Sequence, residues 1–203
     1  TLGDLHIDDV APLLTPAEQR ATVVDLLTSR SGVYHAANYE SASRAAQRPA
    51  RGSYGPGEFW VYNNWDFNAL GTIFEQETGR SVFQAFADEI AEPLEMEDFR
   101  LEHTHDVVTD VSEHAAYTFR MSARDLARFG LLYLREGKWG PRQLVPPEWV
   151  IESTAGHTEA EFGLKYGYMW WEADEGQLLP GMPQGGRVYA ARGTGGHTVA
   201  VFP

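Results

Sequence analysis

Hydrophobic side chains change their period along this chain, and that change restricts its architecture more than any other feature. In several segments of the first two thirds they recur every three to four residues, as on helices packed by one face. Toward the C-terminus, Tyr166 to Trp171, Arg187 to Ala191 and Thr198 to Phe202 read as strands separated by Gly-rich turns. Helices first and a hairpin-connected antiparallel sheet last predict an α+β fold, or α/β with segregated elements, in one domain. With 203 residues, 43% of them hydrophobic, one sizeable core can be buried.

The helices are placed by their caps. The first is expected from Pro16 to Thr28 behind Thr15, with Val23, Val24, Leu26 and Leu27 as its apolar face and a break at Ser31-Gly32. Residues 36–57 read as surface loop with a short helix through Ser41–Gln47. Trp65 to Thr78 should bury Leu70, Ile73 and Phe74 and stop at Gly79. Ser81 with Gln84 forms a capping-box pattern ahead of Phe83, Phe86, Ala87 and Ile90, ended by Pro93. Glu95 to Phe119 is polar and His-rich without a clear period. Ser122 and Asp125 cap the strongest helix, Ala123 to Arg135, with Leu126, Phe129, Leu132 and Tyr133 on one face and Gly137 beyond it. Pro146-Pro147 opens a short helix carrying Trp149, Val150 and Ile151.

Charge and composition exclude several functions. With 16 Lys+Arg against 29 Asp+Glu the net charge is −13, which repels phosphate backbones and anionic lipid heads. Nucleic acid and membrane are therefore not expected partners, and no stretch approaches the ~18 apolar residues that span a bilayer. The chain has no Cys, so disulfides, Cys-ligated zinc and Cys nucleophiles are excluded, while the compartment stays unassigned. The opening Thr1-Leu2-Gly3-Asp4 and the apolar close Thr198 to Pro203 both read as cuts through a larger polypeptide.

Three constellations could carry chemistry. Tyr62-Asn63-Asn64 lies between an apolar approach and a helix start. A Tyr there can act as a general base beside a cation, and an Asn two residues on can donate to a carbonyl and accept from a Lys. The bland reading is a packed Tyr with a tethered hydroxyl. Arg192-Gly193-Thr194-Gly195-Gly196-His197 can aim backbone N–H groups at an oxyanion, or it can be an ordinary Gly-rich hairpin. His103-Thr104-His105-Asp106 resembles part of a metal-hydrolase pattern, but no further His adjoins it, and a polar surface loop accounts for it better. No G-x-S-x-G elbow, S-x-x-K, P-loop or G-x-G-x-x-G fingerprint is present, so no cofactor and no metal is assigned.

Read in order, several segments resemble the serine β-lactamase and penicillin-binding-protein superfamily, nearest its class C-like esterases, D-aminopeptidases and aminohexanoate-oligomer hydrolases. Thr22 to Gly32 is similar to an L-L-T-H-T-S-G segment, and Tyr62-Asn63-Asn64 to the Y-x-N motif. Met121 to Gly130, Gly137-Lys138-Trp139, Pro147 to Val150 and Tyr166 to Trp171 follow in collinear order. Arg192 to His197 falls where the family has its K-T-G or H-x-G turn. The resemblance implies a β-lactamase-like fold, incomplete in this chain, and a serine hydrolase acting on small amides or esters through an acyl-enzyme.

Carried over, Tyr62 matches the base and leaving-group acid, and Asn64 the partner of the substrate amide and of the Lys. Thr194 would offer one oxyanion N–H, with Gly193, Gly195, Gly196 and His197 bordering the acyl pocket. The resemblance puts the S-x-x-K nucleophile before Thr1 and further strands and a helix after Pro203. Ala191-Arg192 replaces the third-motif Lys or His. Loops 40–57 and 171–186 would choose the substrate. A non-catalytic binding or structural member of the same fold, and a metal hydrolase through His103 and His105, remain the competing readings.

Overall fold

The computed structural model describes residues 1–178 and 186–203; part of the substrate-choosing loop 171–186 expected above lies outside them. The backbone forms two compact units, Thr1–Ala85 with Leu101–Phe119, and Phe86–Arg100 with Arg120–Pro203.

In the first unit, α1 (Val23–Leu27), α2 (Ala42–Gln47), α3 (Asn64–Thr78) and the start of α4 (Val82–Phe86) are joined by a hairpin of β1 (Thr104–Thr109) and β2 (Ser112–Phe119). The core gathers Leu2, Ile7, Leu14, Leu26, Val33, Trp65, Ala69 and Ile73. Trp65, Ala69 and Ile73 recur every four residues, so α3 turns one stripe inward. Phe74, expected on that stripe, lies beside it and is exposed. Where α3 meets β2, a Cβ on Gly71 would come within 2.6 Å of the Tyr117 ring, so only glycine permits this approach.

Two expectations for this unit are corrected. The helix over Pro16–Thr28 is broken: a 3-10 turn (Glu18–Arg20) is followed by extended Ala21 and then by α1. Each piece has its own cap, since Thr15 bonds the Glu18 carboxylate and Thr22 forms a capping box with Asp25. The aperiodic stretch 95–119 contains the β1–β2 hairpin. Its inward residues on β2 are Ser112, His114 and Ala116, so the alternation is present but not hydrophobic. Their partners are tertiary. Asp9 accepts from Ser112 Oγ at 3.0 Å and from Trp65 Nε1 at 2.7 Å, and His114 Nδ1 meets Thr72 Oγ1 at 3.0 Å. Asn38 donates to the carbonyls of Ser112 and His114 and accepts from Thr109.

In the second unit, a π-helical turn (Ala87–Ala91) continues from α4, so the helix expected up to Pro93 changes its winding midway. The amphipathic α5 (Ala123–Leu134) begins where Ser122 Oγ accepts the Asp125 N–H. It is followed by the β3 (Lys138–Trp139) and β4 (Arg142–Gln143) hairpin and by α6 (Pro147–Thr154). The sheet is an antiparallel meander of β5 (Thr158–Glu159), β6 (Lys165–Tyr166), β7 (Trp171–Asp174), β8 (Arg187–Arg192) and β9 (Thr198–Val201), with the short α7 (Glu175–Leu178) after β7. Tyr166 to Trp171 is therefore a turn between two strands, with Met169 left-handed at φ 63. Helix α5 covers one sheet face: Tyr133 packs with Trp170, Tyr189 and Val201, and Tyr189 Oη donates to the Tyr133 carbonyl.

Candidate active site

The Tyr62 segment belongs to the first unit. Asn63 is the N-cap of α3, and its Oδ1 accepts from the Trp65 N–H at 3.2 Å. Its Nδ2 donates to the Val33 carbonyl at 2.8 Å and to Asp66 Oδ1 at 2.9 Å. Asn63 is thus a buried and satisfied structural residue, flanked by the two residues the Y-x-N resemblance singles out.

Tyr62 is half-buried, with its ring edge-on to Phe67 at 4.8 Å between centroids and the Arg44 guanidinium 4.6 Å from the ring centroid. That cation–π contact is a feature the sequence did not signal, because Arg44 sits on a helix within a loop-like stretch. Asn64 opens α3, and its Oδ1 is buried with no hydrogen-bond partner among the described residues. An orphaned buried acceptor costs about 1–3 kcal/mol, so it marks a place where a donor belongs.

The surroundings separate Tyr62 from its neighbours chemically. Burial pushes the Tyr117 phenol up to about 12, with Tyr62 adding to the effect, so Tyr117 stays protonated. Burial also pushes the Asp66 carboxyl well above the usual range, despite hydrogen bonds from Ser31 Oγ at 2.5 Å and from Asn63. Burial thus favours the protonated form of Asp66 in the first turn of α3. Ser29, fully buried and left-handed at φ 58, accepts the Asn63 N–H on its Oγ at 3.1 Å and the Val61 N–H on its carbonyl at 3.2 Å.

The other carried-over residues, Gly193, Thr194, Gly195, Gly196 and His197, all belong to the second unit, so the structure groups the candidates in two sets. Thr194–Gly196 form a 3-10 turn between β8 and β9, closed by the Gly193 N–H donating to the His197 carbonyl at 2.9 Å. Gly195 and Gly196 take φ of 83 and 82, open to glycine at little cost. Thr194 and Gly195 fall between the ladder pair Arg192 and Thr198, and the whole turn is exposed. Arg192 leans over the Trp171 ring, 5.8 Å from its centroid.

The His103 to Asp106 stretch is not a loop. His103 ends a 3-10 turn and His105 lies on β1 opposite Thr118. Among the described residues no group of three or more metal-ligating side chains is gathered. Among them too, no helix is long and apolar enough to cross a membrane.

The Beta-lactamase family model matches residues 3–203. No curated protein matches the chain. Solved structures do. A Bacillus anthracis protein described as a 6-aminohexanoate-dimer hydrolase has a TM-score of 0.62 at 22% identity, over 91% of this chain and 53% of its own. A class C β-lactamase has a TM-score of 0.59 at 14% identity, over 91% and 61%. An octameric penicillin-binding-protein homologue from Pyrococcus abyssi has 0.57 at 20%, over 84% and 46%. The chain thus spans about half the length of the first two of these relatives to which it is similar at 20% identity or more.

Proposed function

Because the chain belongs to the β-lactamase family, we propose that it forms part of one β-lactamase-like domain that hydrolyses small amides or esters through an acyl-enzyme. The observation that carries this reading is the buried Asn64 Oδ1, two residues from Tyr62, which has no hydrogen-bond partner among the described residues. A Lys ammonium of an S-x-x-K segment supplied from outside residues 1–203 would satisfy that acceptor.

The Ser hydroxyl of that segment attacks the substrate carbonyl carbon and gives its proton to the Tyr62 phenolate, the role the family resemblance implies. The Asn64 amide donates to the substrate. By the family resemblance, the Thr194 N–H donates a hydrogen bond to the developing oxyanion, and Gly193, Gly195, Gly196 and His197 border the acyl group. The carbon–leaving-group bond breaks as Tyr62 returns the proton to the amine or alcohol. The Tyr62 phenolate left by that step takes a proton from water, whose oxygen attacks the acyl carbon; the proton passes to Ser Oγ as the acyl–oxygen bond breaks, giving a carboxylic acid and free Ser.

The test is a serine-reactive fluorophosphonate on the full-length protein, read by intact mass, together with turnover of small esters by Tyr62→Phe. One probe adduct and a loss of ~10²–10⁴-fold in turnover are expected for this role. Unchanged turnover in Tyr62→Phe overturns it. A full-length protein that takes no adduct would instead be a non-catalytic binding member of the same fold.

A further inference from the structure

Helix α3 starts without the usual reciprocal cap. In α1 the acid at the third helical position, Asp25, accepts the backbone N–H of its N-cap, Thr22, at 2.8 Å. The equivalent acid of α3 is Asp66, and its Oδ1 is instead engaged by Ser31 Oγ and by the Asn63 side chain. The Asn63 N–H has no acceptor within its own helix and is taken by Ser29 Oγ, from a turn far away in sequence.

Ser29 also holds the other side of the motif, because its carbonyl accepts the Val61 N–H. One fully buried residue therefore ties both neighbours of Tyr62. To do so it adopts φ 58, a region that non-glycine residues enter only when their surroundings enforce it. Glycine would meet this φ more easily, as Gly32 does nearby at φ 72, but it has no oxygen to offer the Asn63 N–H.

We infer that Ser29 is a positioning residue for Tyr62, its left-handed backbone aiming carbonyl and hydroxyl at the two amides that bracket the phenol-bearing residue. This rests on the reading of Tyr62 as the acid–base group. The Ser31–Asp66–Asn63 bonds support the same segment from beneath, fixing the cap from which Asn64 projects.

The test compares Ser29→Gly, which relaxes the backbone but deletes the oxygen, with Ser29→Asn, which tolerates left-handed φ and restores an acceptor. Both are measured in the full-length protein for kcat, KM and thermal midpoint, beside Tyr62→Phe. For Ser29→Gly, kcat should fall about 10- to 100-fold with KM nearly unchanged and only a small drop in midpoint, because relief of the left-handed φ offsets part of the lost hydrogen bond; Ser29→Asn should recover most of the kcat loss. If Ser29→Gly keeps its kcat while Tyr62→Phe loses turnover, the positioning role is wrong and the Tyr62 assignment stands. A kcat loss that merely follows a lowered midpoint also overturns the positioning role. Turnover unchanged in Tyr62→Phe removes the premise itself.

Discussion

The Tyr62 segment and the Arg192–His197 turn are held in their conformations by opposite means. The first uses side chains: Asn63, Ser29, Ser31 and Asp66 are all buried and bonded to one another or to the backbone. The second uses main chain: an exposed turn with two glycines at positive φ, closed by one backbone bond. Side-chain scaffolding is sensitive to what each residue is, whereas main-chain scaffolding is sensitive to which φ and N–H each residue allows.

Removing an N–H from the turn should cost most. Thr194→Pro deletes the proposed oxyanion donor without needing a new backbone path, since Gly193 before it is already extended at ψ 168. A kcat loss of ~10²–10³-fold is expected in ester turnover. Asn63→Ala removes the cap of α3 and leaves buried partners unsatisfied, which should lower unfolding stability by about 2–3 kcal/mol in urea titrations.

The buried Asp66 supplies a pH-dependent contrast. Its folded pKa lies above the unfolded value, so as pH rises past ~4 the unfolded chain releases a proton that the folded chain keeps. Stability from this group is therefore lost with rising pH up to its folded pKa. Asp66→Asn should match the parent near pH 3 and exceed it at pH 7, measured by urea midpoints at both. Equal midpoint differences at the two pH values would show that Asp66 is ionised when buried.

The smallest effects belong to side chains of the turn. Gly196→Ala meets open space and suffers only the φ of 82, about 1 kcal/mol by urea titration. Thr194→Ala keeps the N–H and should change kcat by less than about 3-fold. A large loss in Thr194→Ala would mean that this region, like the first, works through its side chains.

Much of this was legible in advance where local chemistry decides. Gly79 ends α3, Ser122 opens α5, and the β8 and β9 strands lie where strands were expected. The Y-x-N and Gly-rich segments were found as motifs, the first leading into α3 and the second lying between β8 and β9. The β1–β2 hairpin was not legible, because its inward Ser112 and His114 look like surface residues until Asp9 and Thr72 meet them. Nor was the split at Ala21, where Thr22 competes with Thr15 as a cap.

By itself the sequence determined α3, α5, the last two strands, the Ser122 cap, the Gly79 stop and the family, since each depends on residues close in the chain or on ordered motifs. Only the tertiary structure decided that burial raises the Asp66 pKa, that Asn64 Oδ1 lacks a partner among the described residues, and that Ser29 and Arg44 attend Tyr62. Desolvation and hydrogen-bond satisfaction depend on what surrounds a group in space, and residues 34 and 18 positions away along the chain provide that here.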